Sequence, residues 1–462
     1  MVQPQGCSTQ NLIAAKRFSF IVKKELAKEY TMVELGMDQK SVIGRTLEEL
    51  EKHGDKGTAY IGKVVMSSGE RPVLGRKVMM DVAEPHLILI CGKRGGGKSY
   101  SLAVLLEELA RQPEEIRKRI AVIAIDTVGI FWTLKVPNVA DAKELAEWGL
   151  EPQKTGVEVL VPAGKLDFYR EKKIPVDGAF TLKVSELEAN EWLALFKLTW
   201  RDEEGILLTR IIENVKERMG TLYGIDELVS AARQDKESDA RTKQAIAGRL
   251  EMAKAWGLFE KEGTRIMDLA KPGKVTIIDV SAYRQAIGME GTRDIIVGVL
   301  GKKLFEERML YRKEEEVRLT QGGKRVSDMP IVWMLIDEAH MFMPKDEESI
   351  ALSVLLEWVR VGRQPGLSLV LATQRPNKLH PDCISQCDLF ISHRLTSQPD
   401  IAAVSELRPS YLHQDFDKYF EEMPRSKGFA LVLDDNTEKI WMIKMRPRFS
   451  WDGGVTASAF PD

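Results

Sequence analysis

A chain of 462 residues can hold about three average domains, or one large α/β domain with appendages. Its 44% hydrophobic and 29% charged residues exclude a disordered or collagen-like chain. With 67 basic against 69 acidic residues, the net charge of −2 is not that of a nucleic-acid coat, but it is compatible with a ring whose basic groups face only a central channel. Met1–Gln10 is polar, with no basic-then-apolar export segment. The longest apolar runs, such as residues 120–125, fall far short of the ~20 residues that span a bilayer. Without an export signal, four cysteines do not suggest a disulfide framework. These features predict a reduced, cytoplasmic protein with no membrane segment.

Along the chain, residues 1–57 read as helices and polar links, with charged and spaced apolar residues at 18–30 and 46–53. Residues 58–65 and 72–80 read as short strands around a turn at 67–70. From Leu87 short apolar runs alternate with helical stretches. The runs are 87–91, 120–125, 157–161, 275–280, 331–336, 367–372, 389–391 and 428–433. Buried runs separated by helices predict a largely parallel sheet covered on both faces. Residues 183–270 break this alternation with helical patterns at 189–200, 205–218 and 236–256, and predict a mostly helical insertion. The charged stretch 312–328 reads as a mobile loop. We therefore divide the chain into an N-terminal region 1–80, a first core part 81–182, an insertion 183–270, a second core part 271–450 and a tail 451–462.

The strongest local signal is Gly92-Lys93-Arg94-Gly95-Gly96-Gly97-Lys98-Ser99, which fits the phosphate-loop pattern G-x-x-x-x-G-K-[ST]. Gly92, Gly95, Gly96 and Gly97 let backbone N–H groups turn inward around a phosphate. Lys98 reaches the β/γ oxygens of ATP, and the Ser99 hydroxyl can hold Mg²⁺. The helix that follows, from Ser99 and Tyr100 onward, sets its positive end at the phosphates. Leu102, Leu105, Leu106 and Leu109 form one stripe on it. The second signal is an apolar run, 331–336, ending in Asp337-Glu338. Asp337 at a strand end suits the Mg²⁺ shell, and Glu338 suits a general base that activates water. The third is the run ending in Thr373-Gln374-Arg375, where Gln374 can sense a γ-phosphate without adding charge.

Further elements surround these. They are Pro85-His86-Leu87, Glu338-Ala339-His340, Gly362-Arg363-Gln364-Pro365-Gly366, Ser385-Gln386-Cys387-Asp388, His393-Arg394-Leu395, Met445-Arg446-Pro447-Arg448 and Gly453-Gly454. Together they resemble the HerA branch of the HerA/FtsK superfamily over residues 61–454. The resemblance implies a RecA-like P-loop core, a homohexameric ring, ATP hydrolysis at subunit interfaces and double-stranded DNA as substrate. It also implies a nuclease partner of the NurA type or another effector in repair or defence. It assigns Arg363 to the neighbouring subunit's nucleotide, with Arg360 one turn earlier as the rival, and it marks Asp126 as an acidic position after the second core strand. The chain departs from the pattern at its start, where the usual β-barrel is missing or much reduced, and at residues 127–131, which lack an acidic residue. Before the first core strand, His86 stands near where some members carry an arginine.

Other groupings read as structural. His380, Cys383, Cys387 and His393 are irregularly spaced for zinc and predict core packing. Trp132, Trp192, Trp200 and Trp256 sit among apolar stretches, and Lys172-Lys173 and Lys324-Arg325 read as solvated loops. Two functions stay open: a DNA-translocating motor, and a nucleotide-gated ring that controls a partner enzyme without moving DNA.

Overall fold

In this computed structural model the structure describes residues 40–67, 72–283, 291–324, 329–405 and 416–454. Its strands are β1 Lys40–Ile43, β2 Thr58–Ser67, β3 Val73–Asp81, β4 Leu87–Cys91, β5 Ile120–Asp126, β6 Val157–Pro162, β7 Gly178–Phe180, β8 Leu182–Lys183, β9 Phe259–Glu260, β10 Val275–Asp279, β11 Ile331–Ile336, β12 Leu367–Thr373, β13 Leu389–His393, β14 Phe429–Asp434 and β15 Lys439–Met445. Thirteen of them form one sheet in the order β1-β3-β2-β15-β14-β13-β4-β12-β11-β5-β10-β6-β7. From β13 to β7 every pairing is parallel. From β13 back to β3 every pairing is antiparallel. The parallel half is the predicted α/β core. The antiparallel wing follows from residues 428–445, where β14 and β15 pair in register.

The continuous apolar character of the core strands has a direct cause, since both faces are covered. Along β4, Leu89 and Cys91 pack into one layer while Ile88 and Ile90 pack into the other. Helix α1, Lys98–Ala110, lies in the second layer with its leucine stripe buried. Helices α6, Thr292–Thr320, and α7, Ile350–Val361, lie on the opposite layer.

Residues 183–270 carry helices α2 Ala189–Phe196, α3 Glu203–Met219, α4 Ile225–Gln234 and α5 Ala240–Ala255. They also hold the short strand β9 in this mostly helical region. At two residues it is too short to leave a periodic signal. Paired with β8, it ties the exit of the insertion to its entry. Trp192, Phe196, Trp256 and Phe259 pack as one aromatic group at this neck. All described elements from Ser41 onward, these helices included, belong to one compact unit.

Two expectations need correction. The stretch 312–328 is not a loop as far as Thr320, because α6 runs on through it. Arg, Lys and Glu are good helix formers, and Arg312 pairs along the helix with Glu315 and Glu316. Its last part, residues 325–328, lies outside the described residues. Residues 40–57 are not only helix and link. β1 precedes the helix Leu47–His53, while the strands expected at 58–65 and 72–80 are present as β2 and β3 and belong to the central sheet. The expected helix at 18–30 lies outside the described residues.

Two buried charge networks pin these pieces together. His86 lies between Asp388, 2.6 Å from Nδ1, and Asp81, 3.0 Å from Nε2. Asp81 also takes Arg45 Nε at 2.7 Å. Burial alone would lower the imidazole pKa, but the hydrogen bonds to Asp388 and Asp81 outweigh it and hold it at about 9. The ring is thus a cation joining β3, the start of β4 and the loop before β13. At the other end, Arg446 is wholly buried and donates to Glu107 of α1 at 2.8 Å and to the Tyr60 carbonyl at 2.9 Å. Glu107 also accepts the Ser450 N–H and hydroxyl. The Met445-Arg446-Pro447-Arg448 element is therefore a clamp on the helix that follows the phosphate loop.

Candidate nucleotide site

β4 ends at Cys91, the glycine loop spans 92–97, and α1 starts at Lys98. The loop rests on His393 at the end of β13. A Cβ on Gly92 would lie 2.7 Å from His393 Cβ, and one on Gly97 would lie 3.2 Å from the ring, with φ at +116° besides. The Lys93 N–H donates to the Arg394 carbonyl at 3.1 Å. His393 is fully buried. Nδ1–H donates to the Phe429 carbonyl at 2.9 Å, and Nε2 accepts from the Ser101 hydroxyl at 2.8 Å. Burial pushes its pKa down to about 4, so the loop sits on a fixed, uncharged ring. The sequence reading named His393 within the family pattern and among core-packing residues, and missed this support. The one signal for it is the glycine run, which demands some close neighbour.

Lys98 is buried, and its Nζ donates to the Lys93 carbonyl at 3.3 Å. Burial lowers its pKa, and Glu338 and Asp337 work against that shift. The Ser99 hydroxyl donates to Asp337 Oδ2 at 3.0 Å, while Asp337 Oδ1 accepts the Glu338 N–H at 2.9 Å. The structure thus brings Lys98, Ser99, Asp337 and Glu338 together from residues more than 230 positions apart. A hydroxyl and a carboxylate oxygen on one edge are the hard donors that suit Mg²⁺. No cluster of three or more His, Cys, Asp or Glu side chains fit for a metal occurs among the described residues.

Glu338 follows β11 with φ 52° and ψ 46°, a left-handed conformation that a non-glycine residue adopts at a cost. A 3₁₀ turn, Ala339–Met341, then brings His340 back to β12. Its Nδ1 lies 3.1 Å from Thr373 Oγ1 and 3.5 Å from Glu338 Oε2. Burial, with Arg375 and Lys98 adding to it, holds its pKa down to about 4. Gln374 is half-buried and stands one residue past the Thr373–Cys91 pair, on the strand between β4 and β11.

Arg363 does not belong to this end of the sheet. It was expected on the strand-end face, but α7 runs back across the sheet, so Arg363 precedes the start of β12 rather than following its end. The strand alone puts about 20 Å between it and its own phosphate loop. It is exposed and makes no side-chain hydrogen bond or ion pair among the described residues. Arg360 instead pairs with Asp382 at 2.7 Å.

The remaining candidates are structural in their contacts. The Tyr100 hydroxyl accepts the Arg448 N–H at 2.7 Å, so this side chain holds the clamp. Asp126 accepts the N–H groups of Val128, Gly129 and Phe131 and shapes its own loop. Burial and Asp279 push its pKa up to about 7. Cys383 packs on Met343, and the Cys387 thiol donates to the Ile384 carbonyl. Trp192 and Trp256 are buried, Trp132 is half-buried, and Trp200 is exposed. Lys172, Lys173 and Lys324 are exposed, and Arg325 lies outside the described residues.

A phosphate loop after β4, an acidic pair after β11 and a polar strand end on the β12 between them define a P-loop ATPase with a RecA-like core. The family model described as "Helicase HerA, central domain" matches residues 59–304, more than half of the chain. The chain belongs to that family. The match contains the phosphate loop and Asp126, while β11 and β12 lie beyond it. Among similar proteins is the DNA double-strand break repair helicase HerA of Pyrococcus furiosus, 23% identical over 361 residues, 70% of this chain and 59% of that protein. The chain thus spans about three fifths of that relative's length. A probable helicase of Methanocaldococcus jannaschii is 21% identical over 95% of this chain and 80% of its own. VirB4 of Thermoanaerobacter pseudethanolicus shares the fold with a TM-score of 0.53 at 14% identity, covering 85% of this chain and 97% of its own. The bacterial conjugative coupling protein TrwB, in trigonal form, does so at 0.50 and 12%, covering 90% and 100%. No described helix is long and apolar enough to cross a membrane.

Proposed function

We propose that this chain hydrolyses ATP as one subunit of a ring, most simply a hexamer, that translocates or unwinds double-stranded DNA in the manner of HerA. The contact that carries the reading is Ser99 to Asp337, which joins the phosphate loop to the acidic strand end. Lys98 binds the β/γ-phosphates, and Ser99 and Asp337 hold Mg²⁺, which supplies charge neutralisation on the transferring phosphoryl group. Glu338 takes the proton of the attacking water, and Gln374 orients that water or the γ-phosphate. Arg363, far from its own loop and with its guanidinium exposed, serves the neighbour's nucleotide. A cytoplasmic setting and a nuclease of the NurA type, or another effector, go with this reading.

A nucleotide-gated scaffold is the second reading, and the N-terminal wing favours it. β2 and β3 are strands of the antiparallel wing of the central sheet, inside its edge strand β1. Purified protein separates the two. A motor shows ATP turnover that rises with duplex DNA and displaces a bound roadblock. A scaffold shows turnover that DNA leaves unchanged. A chain with no ATP turnover refutes both.

A further inference from the structure

Three groups at the strand ends meet at one ring nitrogen. His340 Nδ1 lies 3.1 Å from the Thr373 hydroxyl and 3.5 Å from Glu338 Oε2. The Thr373 oxygen also accepts the Arg375 N–H at 3.0 Å. A hydroxyl oxygen has two lone pairs, so it can take both the Arg375 N–H and His340 Nδ1–H. In that tautomer the same Nδ1–H faces the glutamate, and a movement of about 0.6 Å closes the second contact to hydrogen-bond length.

We propose that His340 is a positioning residue for hydrolysis, holding the Glu338 carboxylate in line with the end of β12 through Nδ1. The inference rests on the reading of Glu338 as the base. The backbone sets the geometry of this contact. Glu338 sits in a left-handed conformation two residues past the end of β11. The 3₁₀ turn reverses the chain after it and returns His340 to β12, the strand that carries Gln374. The carboxylate that takes the proton and the amide that meets the γ-phosphate thereby share one support. Low basicity suits this role. With its pKa held near 4, the ring stays uncharged at neutral pH and donates without competing for the proton of the attacking water.

The position of His340 adds a consequence. His340 and Arg375 also line a groove of about 1160 Å³ bounded by α2, α6 and α7. The support of Glu338 therefore also lines this groove.

The test uses full-length protein with Mg²⁺ and ATP. Asparagine keeps an N–H donor at the Nδ1 position, whereas leucine keeps only bulk. His340→Leu should lower kcat about 10- to 100-fold, while binding of a fluorescent ATP analogue stays within twofold. His340→Asn should restore kcat to within about threefold of wild type. Thr373→Val, which removes one hydroxyl from a buried strand end, should lower kcat in the same sense. If His340→Leu does not fold, as judged by its melting curve, His340→Asn and Thr373→Val carry the test. The inference is overturned if His340→Leu or Thr373→Val turns over normally, or if His340→Asn is as slow as His340→Leu. It is also overturned if nucleotide binding falls with kcat. Wild-type turnover together with a slow Glu338→Gln variant keeps the functional reading intact in any of these cases. A wild-type chain without turnover overturns both.

Discussion

In the mechanism proposed above Lys98 and Glu338 divide one reaction between them, and their variants should part accordingly. Lys98→Ala removes the buried ammonium aimed at the phosphates. Nucleotide binding should weaken and turnover vanish, with an unchanged melting temperature in the absence of nucleotide. Glu338→Gln keeps the side chain's shape but not its basicity. ATP should still bind, measured by fluorescent analogue, while single-turnover hydrolysis slows by about 10²–10⁴-fold. His86 offers a test in pH. Its folded pKa of about 9 lies above the unfolded value of about 6.5. Such a group contributes fully below pH ~6.5, and its contribution is lost as pH rises through 9, on the order of 3 kcal/mol. Denaturant midpoints should fall between pH 7 and pH 10 in the wild type. The fall should be smaller in His86→Leu, which should also be less stable at pH 7.

At the scale of elements, the phosphate loop, the acidic strand end and the core strands were legible because each writes a local pattern. A glycine run before a lysine, and buried runs of five or six apolar residues, need no distant partner to be read. β15 was not legible, since Lys439–Met445 mixes lysine with apolar residues, as a partly exposed strand does. The support of the loop by His393 was hidden for a different reason: nothing at residue 393 announces that Gly92 will lie against it. The placement of Arg363 failed because the parallel pairing was not carried through: a crossover helix between the parallel strands β11 and β12 returns from strand ends to strand starts, so a residue just before β12 lies at the far end from the phosphate loop. The C-terminal clamp gives this scale its prediction. Arg446→Met removes the nearer charge partner of the buried Glu107 and leaves Arg448 at 3.8 Å, a loss approaching about 3 kcal/mol. Urea unfolding should shift accordingly, and nucleotide binding should weaken in parallel, because Glu107 lies on α1 behind the phosphate loop.

In the ring proposed above, the separation of Arg363 from its own phosphate loop would put its action at a subunit boundary. Rings mixed from Lys98→Ala and Arg363→Ala subunits should regain part of the activity each lacks alone, since some interfaces then pair an intact loop with an intact arginine. Exchange of subunits is checked first with tagged and untagged protein. If exchange occurs and turnover stays at zero, Arg363 does not act in trans.

The sheet order carries a last consequence, for how the chain is made. β4 is flanked by β12 and β13, whose residues begin at Leu367 and Leu389. While a ribosome builds the chain, the strand that presents the phosphate loop leaves the exit tunnel almost 280 residues before either flanking strand exists. Its apolar edge waits through that interval, at 5–20 residues per second about 15 to 55 seconds of synthesis. A nascent chain halted near residue 304 therefore holds the whole phosphate loop yet no folded nucleotide site, and it exposes an open strand edge for chaperones to cover.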